Sequence, residues 1–237
     1  MVSGQWRVRL GFNYVRGVRK ETAEAIVAAR PFTSIVDLAL RVRGLRKDEL
    51  RMLAEVGALN SLGGHRRDAL WEAERALRPA GPLFDGIDDP QTESPLDPMN
   101  AAERIRADFY GTGLTIGMHP MKLYREAMRA RGVLPAAMLK RGRKNSSVRV
   151  AGCVICRQRP GTANGFLFLS LEDETGIANI IVEPELFDKN REGLVTAPYL
   201  LIEGLLQNQQ GAISIKMRSV EALDFSAAAV PASHDFH

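Results

Sequence analysis

The spacing of apolar residues changes along this chain from a helical period to a period of two. In the first part, apolar residues recur three and four positions apart, which predicts amphipathic helices. From Val148 onward the period is two, which predicts strands. The predicted helices cover about residues 21–30, 34–42, 47–56, 65–77, 100–110, 119–131 and 183–192, and the predicted strands about 148–155, 165–171, 177–182, 199–206 and 213–217.

The order of these elements predicts the fold class. Three strands, a helix and two further strands follow one another between residues 147 and 223, which is the order of a five-stranded OB barrel. In the first part, the connections between helices are only a few residues long, so consecutive helices pack as antiparallel or crossed hairpins. We therefore predict an α+β multidomain chain with helical hairpins first and a β-barrel second.

Charge and proline content divide the chain further. The net charge of +4 is too small to indicate a partner, but two basic blocks (net +6 over 1–78, net +7 over 101–146) flank an acidic, proline-rich segment of net −5. Clustered basic charge suits a polyanion, although a solvated helix face is its commoner cause. The predicted organisation is a helical module over 1–78, a linker over 79–100, a helical connector with a basic hinge over 101–146, a barrel over 147–223 and a flexible tail over 224–237.

Composition excludes several classes of protein. With 45% hydrophobic and 25% charged residues, the chain has the make-up of a globular protein rather than a disordered one. It has no apolar stretch of about 18 residues, and its N-terminus lacks the apolar segment of a signal peptide. Two cysteines are too few for a disulfide scaffold and fit a reducing compartment. We expect a cytoplasmic protein without a membrane partner.

A glycine-bearing turn precedes the first predicted helix. In a helix-hairpin-helix, such a turn exposes backbone N–H groups that hold a DNA phosphate without reading the base. The residues that we expect to bind in this way are Arg16, Gly17, Arg19 and Lys20. A plain connector with solvated cations explains the same pattern equally well. The Gly57-Ala58-Leu59 turn could form a second hairpin, but its less basic surroundings favour a packing role.

The second predicted strand has two different faces. Leu167, Leu169 and Leu171 share one face, which suits the barrel core, so Phe166 and Phe168 are expected on the outer face. Exposed aromatic residues on strands 2 and 3 of an OB barrel stack single-stranded bases. Residues that could complete this nucleic-acid-binding face are Arg157 and Arg159, predicted in the preceding loop, and Asn179 on the paired strand. Two alternatives stay open: this face packs on the helical domain, or the faces are reversed.

Catalytic and metal sites are not predicted. Cys153 and Cys156 have the spacing of a metal-binding pair, but no second pair completes four ligands, and residues three apart in a strand point to opposite faces. The carboxylates of Glu172–Glu174 lie in a predicted turn, where solvated turn chemistry explains them. In the acidic linker, Leu83 and Phe84 could dock in an apolar pocket of a partner, although packing onto the helices is the commoner outcome.

Several of these segments resemble the C-terminal part of bacterial C-family DNA polymerases, the DNA polymerase III alpha subunits, and above all their error-prone, damage-inducible homologues. Arg19 departs from the replicative members, which have a second hairpin glycine at that position. The similarity covers nearly the whole chain and runs through Arg9–Val18, Glu24–Arg30, Leu53–Leu62, Asp108–Leu114 with His119-Pro120, Arg157–Gly161 and Phe168–Asn179.

The resemblance implies an all-α tandem helix-hairpin-helix module that holds duplex DNA, followed by a five-stranded OB-fold β-barrel near the single-stranded template. It also implies action in translesion synthesis with the sliding clamp and an inactive Y-family-like partner. The palm, fingers, thumb and PHP domains of the family are not in this chain. We therefore expect a fragment that is inactive alone and has no cofactor, with Mg²⁺ expected only for the absent polymerase domain. An alternative is a protein-interaction module that tethers a mutagenesis complex without catalysis.

Overall fold

The computed structural model describes residues 9–76, 94–209, 211–224 and 234–236. The chain divides into two compact units, Met1–Gly113 and Leu114–His237. The connector that we predict over 101–146 therefore contributes its first helix to the helical unit and its second to the barrel unit. The division falls at the left-handed glycine that ends the first of these helices, Gly113 (φ +76°).

All regular secondary structure among the described residues of the first unit is helical. After a single 3-10 turn at Phe12–Tyr14, the chain forms α1 (Lys20–Ala28), α2 (Ile35–Arg41), α3 (Lys47–Glu55), α4 (Asn60–Gly63), α5 (Arg66–Ala76) and α6 (Ala101–Thr112). The side chains at the helix starts explain several of these boundaries. The Ser34 hydroxyl accepts a hydrogen bond from the Asp37 amide (3.0 Å) at the start of α2. Asn100 and Glu103 form a reciprocal capping box at the start of α6 (both 2.9 Å).

The core of the helical unit lies between α2, α3 and α5. It contains fully buried residues that the helical periodicity of these segments places on one face, among them Ile35, Leu38, Leu50, Leu53 and Ala69. Helix α6 packs against α3 with almost no space between them. A Cβ atom added to Gly111 would lie 2.2 Å from a Val56 methyl carbon, so only glycine permits this approach.

The second unit contains the barrel. Its strands are β1 (Ser147–Gln158), β2 (Leu167–Asp173), β3 (Gly176–Val182), β4 (Tyr199–Gln209) and β5 (Ala212–Ala222). They are joined in the order β2-β3-β5-β4-β1, and an additional β1–β2 pairing closes the barrel. Neighbouring strands are antiparallel except β3 and β5. The predicted five-stranded barrel is thus confirmed.

Between β3 and β4, the predicted helix over 183–192 is divided into α8 (Pro184–Lys189) and α9 (Arg191–Thr196). Asn190 separates them because its backbone leaves helical geometry (φ −122°, ψ 21°), and its side-chain amide donates to the Leu186 carbonyl (2.9 Å). Phe187 from α8 and Leu194 from α9 both enter the barrel core.

Helix α7 (Pro120–Ala130) covers one side of the barrel. Its Met121 and Met128 are buried against Tyr199 and Leu201 of β4. The guanidinium of Arg125 also binds the carboxylates of Asp173 (2.8 Å) and Glu174 (2.5 Å) at the β2–β3 turn. Asp173 is buried and accepts hydrogen bonds from turn residues, so it organises this turn and is not solvated as the sequence suggested.

Part of the predicted flexible tail is ordered as a strand. Residues His234–Phe236 form β6, which pairs in parallel with Cys156–Gln158 of β1. The same stretch of β1 pairs on its other side with β2. Backbone pairing with a free strand edge explains why this short segment becomes regular.

Candidate nucleic-acid interface

The predicted hairpin at Arg16–Lys20 has the backbone geometry that its glycine suggests. Gly17 adopts the left-handed region (φ +77°), and no atom lies within 4 Å of the position that a Cβ would take. Helix α1 begins three residues later at Lys20, which is exposed, as is Arg16. The main-chain nitrogen of Arg16 donates to the Gly111 carbonyl at the end of α6 (2.7 Å), which holds the turn in place.

A second turn of the same kind lies between α2 and α3, where the sequence analysis did not predict one. Gly44 is also left-handed (φ +81°) and also has open space beside it, and helix α3 begins three residues later at Lys47. The signal was present in the sequence as an internal repeat. Val15-Arg-Gly-Val-Arg-Lys20 at the first turn returns as Val42-Arg-Gly-Leu-Arg-Lys47 at the second.

One buried carboxylate joins the two turns. Glu49, which is 1% exposed, accepts hydrogen bonds from the main-chain nitrogens of Arg19 (2.9 Å) and Arg46 (3.0 Å), the residues that precede α1 and α3. Burial alone would raise the pKa of Glu49. The hydrogen bonds from the Arg19 side chain and from these two main-chain nitrogens outweigh burial and lower the pKa to about 2.

This arrangement corrects the role that we predicted for Arg19. Its guanidinium binds the Glu49 carboxylate through Nε (3.0 Å) and Nη2 (2.9 Å), and also donates to the Gly44 carbonyl (2.7 Å) and the Thr22 hydroxyl (3.0 Å). These partners engage Nε and Nη2, so Arg19 connects the two hairpins and is less suited to hold a phosphate than an uncommitted arginine.

Other cations at the two turns are uncommitted. Within the described residues, no acidic side chain lies within ion-pair distance of Arg16 or Arg43, which precede the two left-handed glycines, or of Arg46. All three side chains are exposed. Lys20 has only a loose contact with Glu24 (3.8 Å), and both side chains of that pair are well exposed. Positive charge is therefore presented at both turns in equivalent positions.

The turn at Gly57 has a different environment. Gly57 is left-handed (φ +79°), but a Cβ there would lie 2.8 Å from the Arg66 side chain. Arg66 is buried and binds the Asp108 carboxylate (2.7 Å). A side chain thus fills the space beside this turn, as the packing interpretation of Gly57 predicts.

On the barrel, the strand faces are oriented as predicted. Leu167, Leu169 and Leu171 are buried in the core, whereas Phe168 is 36% exposed on the outer face. Ser170 lies on the outer face opposite Asn179 of β3, and its hydroxyl donates to the Asn179 side-chain oxygen (3.3 Å). Phe168, Ser170 and Asn179 therefore form one continuous patch, which we call the aromatic face.

Phe166 is not part of strand β2, although we predicted it on the same outer face as Phe168. Strand β2 begins at Leu167, because residues 161–165 form a turn that includes left-handed Asn164 (φ 47°) and Gly165 (φ +80°). The Phe166 amide donates to the Ala163 carbonyl in that turn (3.0 Å), and its side chain is half-buried. Since Phe166 precedes the strand, strand alternation does not place it beside Phe168.

The two arginines near this face are placed differently. Arg157 lies inside β1 rather than in the loop, is buried, and donates to the carbonyls of Leu194 (2.8 Å) and Ala197 (2.6 Å). It therefore ties β1 to α9 and is not free to bind a ligand. Arg159 is exposed in the following loop, with its guanidinium 4.3 Å from the centre of the Phe187 ring.

Other candidate chemistry is limited. Cys153 is buried, and burial raises the pKa of its thiol to about 12, so this thiol is inert at neutral pH. In the described part of the chain, no three His, Cys, Asp or Glu side chains are grouped to hold a metal ion, and no helix is long and apolar enough to cross a membrane. Leu83 and Phe84, the predicted partner-binding pair, lie outside the described residues.

Comparison with known protein families identifies both units. The family described as "Helix-hairpin-helix motif" matches residues 2–69, and the family described as "OB-fold nucleic acid binding domain" matches residues 148–223. Curated relatives match almost the whole chain: the error-prone DNA polymerase of Anaeromyxobacter sp. (strain K) is 40% identical over 97% of it. The chain is homologous to part of the error-prone DNA polymerases. This confirms the resemblance and the fold class inferred from the sequence.

The chain corresponds to only part of each of these relatives. The chain spans 20% of the Anaeromyxobacter polymerase and 22% of the Corynebacterium diphtheriae one, to which it is 40% identical. Among solved structures, the second OB-fold domain of replication protein A from Methanococcus maripaludis aligns with 34% of this chain and 87% of that chain, at 17% identity and a TM-score of 0.28.

Proposed function

We propose that this chain is a DNA-binding region of an error-prone DNA polymerase that acts in damage-induced translesion synthesis. The helical unit would hold the backbone of duplex DNA, and the barrel would hold the single-stranded template. The observation that carries this proposal is the pair of hairpin turns. They share five of six residues and a left-handed glycine, and each has an uncommitted exposed arginine in the same place.

Two equivalent turns suit a repeating backbone of phosphates. Arg16 and Arg43 each precede the left-handed glycine of their turn, and the helix that follows presents its positive end nearby. Main-chain N–H groups and a cation together hold a phosphate without contacting a base. Binding at these turns would therefore be insensitive to the base sequence of the DNA and strongly dependent on the salt concentration.

The aromatic face of the barrel suits a single strand. Phe168 offers a ring on which a base can stack, and every base has a face that can do so. Ser170 and Asn179 lie beside it with polar groups that reach base edges or sugars. Arg159 is the exposed cation in the adjoining loop. An OB-fold with these features binds single strands with little sequence preference.

We propose a holding role and not catalysis for this chain, since nucleotide addition needs a metal-binding carboxylate cluster and the described residues offer none. The sliding clamp and an inactive Y-family-like protein are the proposed partners, and Leu83 with Phe84 remains the predicted contact. A primer-extension assay on the chain alone should show no incorporation of nucleotides. Incorporation would contradict the holding role.

Fluorescence anisotropy with a labelled duplex, measured over a series of salt concentrations, tests the hairpins. We expect the variant carrying both Arg16→Gln and Arg43→Gln to bind more weakly. The slope of log K against log salt should fall by about 1.8, since each lost phosphate contact on duplex DNA contributes about 0.9. The matched control carries Arg9→Gln and Arg30→Gln, two exposed arginines of the same unit that belong to neither turn segment.

Two results would count against the proposal. Equal binding by the hairpin and control variants would mean that net charge, not the turns, determines affinity. Absence of binding to duplex and single strands at low salt would reject DNA binding altogether. In that second case, co-purification of the clamp or the Y-family-like protein would favour the alternative, a protein-interaction module.

A further inference from the structure

A cluster of cations shortly before β1 takes part in none of the ion pairs that hold the barrel unit together. Residues 140–144 read Lys-Arg-Gly-Arg-Lys, and all four charged side chains are exposed. Over the described ranges, none of them has an acidic side chain within ion-pair distance. We call Lys140, Arg141, Arg143 and Lys144 the basic strip.

The backbone of this segment is fixed to the barrel, although the sequence suggested a hinge. The Asn145 amide donates to the Leu206 carbonyl of β4 (2.7 Å), and the Leu206 amide donates to the Ser146 carbonyl (2.9 Å). Gly142 lies directly on Leu206, since a Cβ there would be 2.4 Å from a Leu206 methyl carbon. The main chain around the strip is therefore held against β4, while its four cationic side chains are exposed.

The strand register places the basic strip at the end of a path that starts at Phe168. Across the outer surface, Phe168 pairs with Ile181 of β3, Ile181 with Lys216 of β5, Lys216 with Leu205 of β4, and Leu205 with Ser147 of β1. Four steps between neighbouring strands correspond to a path of about 19 Å around the barrel wall. Ser147 lies three positions after Lys144, the last residue of the basic strip.

The side chains along this path remain accessible. Phe168 and Ser147 at its ends are exposed, and Ile181, Lys216 and Leu205 between them are half-buried. Lys216 binds the Glu183 carboxylate (2.8 Å), so the middle of the path carries no net charge. The uncompensated positive charge of the path is concentrated at its far end, in the basic strip.

We propose that the basic strip binds the phosphates of a single-stranded nucleic acid that crosses the barrel from the aromatic face. This inference rests on the proposed function and extends its single-strand site from β2 and β3 to the start of β1. Stacking at Phe168 fixes one end of the strand, and the four cations hold the backbone at the other. The continuity of the path with an aromatic residue favours a nucleic acid over an anionic membrane surface, because phospholipid headgroups offer no base to stack.

The test uses the full chain, labelled oligothymidylates of about 4 and 16 nucleotides, which bracket the site sizes of OB-folds, and fluorescence anisotropy over a salt series. The strip variant carries Lys140→Gln, Arg141→Gln, Arg143→Gln and Lys144→Gln. Its matched control carries Lys122→Gln, Arg129→Gln, Lys189→Gln and Arg191→Gln, four exposed cations of the same unit outside the path. Circular dichroism of both variants checks that the fold is kept.

We expect the strip variant to bind the longer oligonucleotide at least tenfold more weakly than the control variant. Its slope of log K against log salt should fall by up to about 2.8, since each phosphate contact on a single strand contributes about 0.7. Binding of the shorter oligonucleotide, which has too few phosphates to contact all four cations while a base stacks on Phe168, should change much less.

The outcomes separate this inference from the proposed function. If the wild-type chain binds neither oligonucleotide, the proposed single-strand site fails and the strip fails with it. If the wild-type chain binds and the strip variant equals the control variant, the strip is rejected while the proposed function stands. Binding of anionic vesicles that is lost in the strip variant, with unchanged binding of oligonucleotides, would also overturn the inference and indicate a membrane surface as the partner.

Discussion

The Arg19 guanidinium and the buried Glu49 carboxylate form a two-point ion pair, with Nε–Oε1 at 3.0 Å and Nη2–Oε2 at 2.9 Å. The same carboxylate accepts hydrogen bonds from the main-chain nitrogens of Arg19 and Arg46, which precede α1 and α3. The relative position of the two hairpin turns in the helical unit therefore depends on one acidic side chain. Spacing the turns correctly would matter if each holds a phosphate of the same duplex.

Replacing Glu49 should destabilise the helical unit. Glu49→Gln removes the counter-charge of the Arg19 guanidinium and weakens the acceptor of two main-chain N–H groups, so we expect a larger loss than for an exposed ion pair. Urea denaturation followed by circular dichroism measures the loss in the free energy of unfolding. The control is Glu24→Gln, which removes an exposed and loose partner of Lys20 and should cost roughly 0.5 kcal/mol or less. Equal effects of the two changes would contradict the central role of Glu49.

The Glu49 pair also predicts how stability depends on acid. The pKa of Glu49 is lowered from 4.5 to about 2 in the folded chain, so folding favours the ionised form. Its contribution to the free energy of unfolding is complete above about pH 4.5 and decreases as the pH falls towards 2. The difference in stability between the wild type and Glu49→Gln should shrink over this range. A difference that stays constant from pH 6 to pH 2 would show that ionisation of Glu49 is not the source.

The two hairpin glycines should respond alike to substitution. Gly17→Ala and Gly44→Ala force alanine into the left-handed region, which costs roughly 1–2 kcal/mol each, whereas the open space beside both residues adds no steric penalty. Thermal or urea unfolding measures the cost. Gly193→Ala, in α9 with open space and an ordinary φ, is the control and should be neutral or stabilising. A large loss at only one of the two turns would contradict their equivalence.

Phe168 should contribute to the binding of single strands. Phe168→Ala removes the exposed ring of the aromatic face, and loss of one stacked base corresponds to roughly 1–3 kcal/mol of binding free energy. Anisotropy with a labelled oligothymidylate measures this loss. Val195→Ala, which shortens an exposed apolar side chain on α9, is the matched control. Phe166→Ala should have the smaller effect of the two phenylalanine changes, and the reverse order would place the binding site in the β1–β2 loop.

Arg157 should affect stability more than binding. Arg157→Met removes the buried donor to the Leu194 and Ala197 carbonyls, and unsatisfied buried groups cost roughly 1–3 kcal/mol. The free energy of unfolding of the barrel unit measures this cost. Arg159→Met, in the exposed loop, is the comparison: it should leave stability nearly unchanged and weaken single-strand binding instead. Similar effects of both changes on binding would restore Arg157 to the binding site.

Much of the fold could be predicted because it depends on local periodicity. The alternation of Leu167, Leu169 and Leu171 predicts the core face of β2, and the helical spacing over 34–42 and 100–110 predicts α2 and α6. The start of β2 was misplaced because the turn at Asn164 and Gly165 overrides the alternation that would include Phe166. The second hairpin at Gly44 was readable from the repeated segment, but only a comparison of the chain with itself would have found it.

Local sequence patterns predict the helical and barrel units, the first hairpin turn and the outward direction of Phe168, because each depends on residues that are neighbours in the chain. Which cations are committed to other residues becomes visible only in the folded chain. Arg19 and Arg157 are as basic as Arg16 and Arg159, yet Glu49 and the carbonyls of α9 occupy the first two. The partner of a charged side chain comes from distant parts of the sequence, so its availability depends on packing and not on local pattern.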